Sequence, residues 1–393
     1  MKRIVMEKET QRYYFDHNAT TPVRPEVAEA MLPYLTEAYG NPSSSHAFGR
    51  EAKDALDKSR NTVARLIGAD PEEIFFTGCG TESDNIAIAG RLYAVSAARN
   101  GLVTTNVEHS AVLKTALTLE AEGYPVKHVG VDKNCRVDLD ALREAVDSDT
   151  ALVSVMHANN ETGVIQDIAE AASIAHDAGA LFHTDAVQSA GKVPIDVRAM
   201  GIDMLAMSGH KINAPKGIGV LYIRKGVTVS PLIHGGSHER GIRPGTENVA
   251  GIVAFARAFE MAVAEIDDKG AVLANLRDRL EKGIEGSIPG ALFNGRGVPR
   301  LPGTANVSIP GVDGEAMLLS LDRAGVAAST GSACSTGEVE PSHVLLAMGR
   351  DPKTAQSSLR FSMGLGSTEE GVGHVLSILP PIVERLRSVS GWI

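Results

Sequence analysis

Residues 151–186 read ALVSVMHANNETGVIQDIAEAASIAHDAGALFHTDA. The stretch opens on an apolar run at 151–157 and passes a polar turn holding Asn159, Asn160 and Gly163. Apolar positions then recur at helical spacing over 168–178, and a second apolar run follows at 181–184. Runs that are continuously apolar, not alternating, belong to strands buried on both faces. Two such strands joined by a helix form a right-handed parallel crossover. Working outward, the same rhythm repeats. Strands are predicted at 73–76, 102–107, 126–129, 204–207 and 220–223, with helices at 26–39, 82–93, 110–122 and 138–146 between or before them. The fold class is therefore α/β, with a mainly parallel seven-stranded sheet covered on both faces. Ligands bind such sheets beyond the carboxyl ends of the strands, and Thr81, His109, Asn160, Asp185 and Ser208 all fall at or just after those ends.

A single helix is predicted over 249–284, followed by short strands at 306–309, 326–329 and 359–362 and helices at 314–324, 342–348 and 368–388. This change of rhythm marks a smaller C-terminal α/β domain. The expected division is 15–262 for the large domain, and 1–14 with 263–393 for the small one.

Composition narrows the class. The chain has 393 residues, 43% apolar and 22% charged, which is ordinary for a globular protein. Its formal net charge of −10 argues against a general nucleic-acid binder. No apolar run is long enough to cross a bilayer, and the N-terminal MKRIVMEKETQRYYFD lacks the apolar centre of a signal peptide. A cytoplasmic protein without membrane or nucleic-acid partners is the expectation. The three cysteines, Cys79, Cys135 and Cys334, match no zinc spacing and no C-x-x-C pair. Cys135 falls in an expected surface turn with Asp132, Lys133 and Asn134, and Cys79 in a glycine turn.

Chemistry concentrates in a few places. Lys211 closes Ser208-Gly209-His210-Lys211 just after an apolar strand, where a lysine of depressed pKa makes Schiff bases with carbonyl cofactors. Alone it reads better as a solvated surface lysine. Asp185 ends a buried strand and needs a partner such as a pyridinium nitrogen, or it is an ordinary N-cap. Gln188 stands three residues on, in reach of a ring oxygen. Gly78-Cys79-Gly80-Thr81 opens a helix, whose first N–H groups favour a phosphate, or it is a plain capped turn.

Taken in order, these motifs identify a family. The chain resembles the class V, fold-type I pyridoxal-phosphate enzymes, and among them the NifS/IscS cysteine desulfurases. The resemblance rests on DHNATTPV at 16–23, GNPSSSH at 40–46, GTESDN at 80–85, EH at 108–109 and NNETG at 159–163. It continues through HTDAVQ at 183–188, SGHK at 208–211, GGSHERGIRPGT at 235–246, GSACS at 331–335 and LRFS at 359–362. The resemblance implies pyridoxal 5′-phosphate bonded to Lys211, with His109 stacked over its ring and moving protons. It implies Asp185 at the ring nitrogen, Gln188 at the ring hydroxyl, and Gly80, Thr81, Ser208 and His210 around the phosphate. Thr246 would reach the phosphate of a partner subunit, which implies a homodimer. Asn160 and Arg360 would grip the carboxylate of L-cysteine. Cys334, in STGSACSTG at 329–337, lacks large apolar neighbours and is the implied sulfur acceptor, carrying a persulfide on to an iron–sulfur scaffold or another acceptor protein. No resident metal is implied, only a passing contact of Cys334 with an iron–sulfur cluster. TGCG at 77–80 and GTEN at 245–248 lean toward the NifS-like branch. The competing readings are a selenocysteine lyase or another class V enzyme and, from a different class, a non-catalytic sulfur-handling scaffold.

Overall fold

The computed structural model describes residues 11–96, 99–330 and 340–389. The strands are β1 (Tyr13–Tyr14), β2 (Ile74–Thr77), β3 (Gly101–Thr105), β4 (Val126–Val129), β5 (Thr150–Ser154), β6 (Leu181–Asp185), β7 (Met204–Ser208) and β8 (Gly219–Ile223). Then come β9 (Leu292–Phe293), β10 (Thr304–Ser308), β11 (Val326–Ala327) and β12 (Ser358–Ser362). Seven of them make one sheet in the order β2-β8-β7-β6-β5-β3-β4. All neighbours are parallel except β8, which runs antiparallel to both β2 and β7. The expected sheet is present, and β5, β7 and β8 are buried at every position, as strands covered on both faces must be.

Local chemistry sets where the crossover helices begin. The Asp138 carboxylate accepts from the N–H groups of Asp140 and Ala141, starting Leu139–Ala145. Asp167 accepts from the Glu170 N–H, starting Ile168–Asp177. Each satisfies backbone donors that a helix leaves open at its first turn.

Three helical expectations are corrected. The helix expected at 26–39 is two short ones, Pro25–Met31 and Pro33–Thr36, because Pro33 has no N–H with which to continue the first. The helix expected at 249–284 is broken at Glu265 into Val249–Ala264 and Ile266–Ser287. The Glu265 carboxylate accepts from Arg24 at 2.9 and 2.8 Å and from Lys269 at 2.8 Å, which pins the chain where its direction changes. The sequence reading assigns nothing to 47–66, yet Ala47–Leu66 is a twenty-residue helix, capped by His46 and packed on Val249–Ala264. Its buried stripe includes Ala52, Ala55, Ser59 and Arg60, small or polar residues that give a weak apolar signal.

A second core forms around β9, β10 and β12, an antiparallel sheet in the order β12-β10-β9. It buries Phe15, Leu280, Val307, Phe361 and Leu379 among others. The N-terminal segment belongs to this core, because β1 pairs in parallel with β11. Among the described residues no helix is long and apolar enough to cross a membrane.

Candidate active site

The topology brings the carboxyl ends of β2, β3, β5, β6 and β7 to one side of the sheet. A cavity of about 160 Å³ opens there, lined by Gly80, Thr81, His109, Asn160, Asp185, Gln188, Ser208, His210 and Lys211 together with Cys79, Asp84, Met156 and Val187. Nine residues singled out from the sequence thus share one chamber. Thr246 is exposed and outside it. Arg360 is buried behind it. Cys334 lies outside the described residues.

Lys211 ends a single 3₁₀ turn, Gly209–Lys211, that follows β7 directly. Its Nζ donates to the carbonyls of Asn18 at 2.5 Å and Ala19 at 2.9 Å. Burial pushes its pKa down to about 8, helped by the Arg360 cation and opposed by Asp185 and Asp16. A larger share of free amine exists at neutral pH than for an ordinary lysine, which is what a Schiff-base lysine requires.

Two buried carboxyl groups, Asp84 and Asp185, line the chamber, and a third, Glu108, is buried just before His109. Burial raises the pKa of each, Glu108 to about 8. At Asp185 the neighbouring His109 and Lys211 oppose that rise. One of its oxygens accepts from the Val187 N–H at 2.8 Å. His109 caps the helix Ser110–Ala121, its Nδ1 accepting from the Ala111 N–H at 3.1 Å. Desolvation lowers its pKa, so the neutral ring carries its proton on Nε2.

The third wall suits an anion. The helix Gly80–Tyr93 starts after Cys79 with no side-chain cap. Its first N–H groups and dipole therefore point at a ligand instead of a capping side chain. A Cβ on Gly80 would stand 2.6 Å from Val187 Cγ2, so only glycine lets the helix start come this close. Ser208 and His210 stand beside it, the latter fixed by a 3.2 Å contact between Nδ1 and Thr20 Oγ1. An anion cradle, a buried carboxylate and an amine of lowered pKa around one chamber fit pyridoxal phosphate in charge and chemistry.

Arg360 reaches Asn160 O at 3.0 Å and Asp16 Oδ1 at 2.8 Å, and its buried Nε has no partner. An unsatisfied guanidinium N–H is the donor a carboxylate would take.

Sequence reasoning missed two residues that the structure puts at the centre. Asn18 and Lys192 bond to Lys211, Gln188 and Asn160, as described below. Asn18 was visible only as a letter of a motif, and nothing in the apolar pattern marks a lysine in SAGKV as turned inward. One expectation is overturned: Cys135 is not at the surface. It is fully buried, its pKa pushed up to about 12 by burial, and it sits at φ 69° under the Gln166 side chain, whose Nε2 donates to its carbonyl at 2.7 Å. Polar Asp132, Lys133 and Asn134 form the outer part of that turn and conceal its inward residue.

The family model for class-V aminotransferases matches residues 13–375. The chain is 50% identical to cysteine desulfurase 2 of Trichormus variabilis, covering 96% of this chain and 94% of the relative. It is 48% identical to the cysteine desulfurase NifS of Azotobacter vinelandii, over 96% and 94% of the two chains. A solved NifS-like protein superposes with a TM-score of 0.90 at 41% identity, covering 96% of this chain and all of the other.

Proposed function

The chain belongs to the class-V aminotransferase family, and we propose that it is a pyridoxal-phosphate-dependent cysteine desulfurase. The observation that carries the proposal is the single chamber on which Lys211, Asp185 and the uncapped helix start at Gly80 converge. We further divide the chain at 15–262 and 263–393, with 1–14 joining the second part. We place the protein in the cytoplasm as a homodimer in which Thr246 serves the neighbouring subunit's chamber.

When bound, pyridoxal phosphate withdraws electrons from an attached amino acid and makes its Cα–H acidic. The chain's own residues do the rest. Gly80, Thr81, Ser208 and His210 would hold the phosphate. Asp185 would be the partner of the ring nitrogen, and Gln188 of the ring hydroxyl. Lys211 Nζ, partly neutral at physiological pH, takes and returns the Cα proton. His109 covers the ring and holds a proton on Nε2. Asn160 and Arg360 orient the L-cysteine carboxylate. The Cys334 thiolate attacks the substrate sulfur, forming the S–S bond of a persulfide. The C–S bond breaks with its electron pair left on carbon, which takes a proton and leaves as L-alanine. The persulfide then passes its outer sulfur to an acceptor, which we take to be an iron–sulfur assembly protein.

The purified protein, given L-cysteine and a thiol reductant, is expected to release alanine and sulfide in equal amounts. Alanine without sulfide, or neither product from protein that carries the cofactor, would overturn the proposal. Selenide release from selenocysteine with no sulfide from cysteine would identify a selenocysteine lyase instead. Arg360→Lys keeps the charge but loses the planar fork, so KM for L-cysteine is expected to rise about tenfold, ~1.4 kcal/mol, with kcat changed less. Steady-state kinetics checks this, and an unchanged KM would remove Arg360 from carboxylate binding.

A further inference from the structure

We infer that Lys192 is a positioning residue for the active site: its donor-only ammonium sets the orientation of two amides, Asn18 and Gln188, that seat Lys211 and bind Asn160. The inference rests on the reading of Lys211 as the cofactor lysine.

The contacts form a closed set. Lys192 Nζ lies 3.1 Å from Gln188 Oε1 and 3.4 Å from Asn18 Oδ1. The amine keeps at least two N–H donors whether charged or neutral, so oxygens of both amides can face it in either state. With its oxygen held there, Gln188 turns its NH₂ group the other way. Nε2 donates to Asn18 O at 2.9 Å while the side chain lines the cofactor chamber. With its Oδ1 held, Asn18 turns Nδ2 toward Asn160 O at 3.1 Å and Thr304 Oγ1 at 3.0 Å. The Asn18 carbonyl is the same atom that accepts from Lys211 Nζ at 2.5 Å. The Asn18 N–H is fixed in turn on Ser362 Oγ at 2.9 Å. One asparagine, 4% exposed, therefore joins the catalytic lysine, the loop carrying Asn160, and strands β10 and β12 of the second core.

Lys192 does not line the cofactor chamber; it lines an adjoining cleft with His17 and Lys269, and Lys211 lines both. It has no carboxylate partner among the described residues. Burial brings its pKa down to about 7, with Lys211 and Arg360 adding repulsion. A lysine kept under such conditions is poorly explained by stability alone, because an apolar residue of the same length would avoid the desolvation cost. Remove the ammonium, and each buried amide loses the donor that distinguishes its oxygen from its nitrogen. Both amide oxygens are then left without that donor, and only the bonds of Gln188 Nε2 to Asn18 O and of Asn18 Nδ2 to Asn160 O still hold the pair that seats Lys211.

The test is a spectrophotometric pH titration of the cofactor-loaded protein, read as the midpoint of the visible absorbance change, alongside kcat and KM. Lys192→Met is expected to keep the cofactor but shift the midpoint by at least about half a pH unit and lower kcat about tenfold, with KM within about twofold of wild type. Lys192→Arg, still a donor-only cation, should return most of both. Asn18→Asp is isosteric and guards against a variant that fails to fold. It replaces the NH₂ facing Asn160 O with a second acceptor and should shift the same midpoint. Wild-type titration curves in both Lys192→Met and Asn18→Asp would overturn the inference. Wild-type protein with no visible absorbance in the presence of pyridoxal phosphate would instead overturn the assignment of Lys211.

Discussion

Lys211→Ala protein is expected to lose the visible absorbance of the bound cofactor and at least about a thousandfold in kcat/KM for L-cysteine, ~4 kcal/mol of barrier. The size of the effect follows from two roles resting on one atom, cofactor attachment and transfer of the Cα proton. Its seat is specific. Two carbonyls, Asn18 and Ala19, hold Nζ, and neither can be met by a methyl group. The nearby Lys192 cannot take over, because it does not line the cofactor chamber and its Nζ is held by the side chains of Asn18 and Gln188. The cofactor phosphate keeps its cradle at Gly80, so some noncovalent binding should survive. An unchanged absorbance spectrum would refute the assignment.

Cys334→Ala is expected to separate binding from chemistry. The variant should take up pyridoxal phosphate, respond spectroscopically to L-cysteine, and release sulfide about a thousandfold more slowly. The other two thiols offer no replacement. Cys135 is buried, and a pKa near 12 keeps its proton on at any physiological pH, so the nucleophilic thiolate is denied. Cys79 precedes the helix start that cradles the phosphate and is fixed at that turn, so Cys79→Ala should retain sulfur release. Sustained turnover in Cys334→Ala, measured as sulfide per enzyme, would move the sulfur acceptor elsewhere.

The sheet was legible because its central strands are written as largely apolar runs, which have few other uses, although the edge strand Val126–Val129 exposes Lys127 and His128. Seven runs give seven strands, and strand ends then locate Asp185 and Ser208 without any tertiary information. Helix boundaries were less readable for stated reasons. Pro33 was a visible breaker, but the break at Glu265 depends on Arg24, far away in the chain. The Ala47–Leu66 helix buries Leu56 and Val63, but Ala52, Ala55, Ser59 and Arg60 fill the rest of its buried face with small or polar residues, which lowers the overall apolar content of the segment. In the site, motif residues whose side chains line the chamber could be listed from sequence, whereas those acting from behind could not. Lys192 reads as a surface lysine because its partner Asn18 lies on a distant segment, and nothing marks the nearby Gln188 as its other partner. Arg360 was expected at the substrate, yet it is bonded to Asp16 and Asn160, an arrangement set by pairing of β12 with β10.

The most direct test of the account is the mass of the Cys334 peptide after the enzyme meets L-cysteine without reductant. The expected result is one added sulfur on Cys334, matched by one alanine per active site and absent from the Cys79 and Cys135 peptides. Alanine formed with no sulfur on Cys334, or sulfur on Cys79 instead, would contradict it.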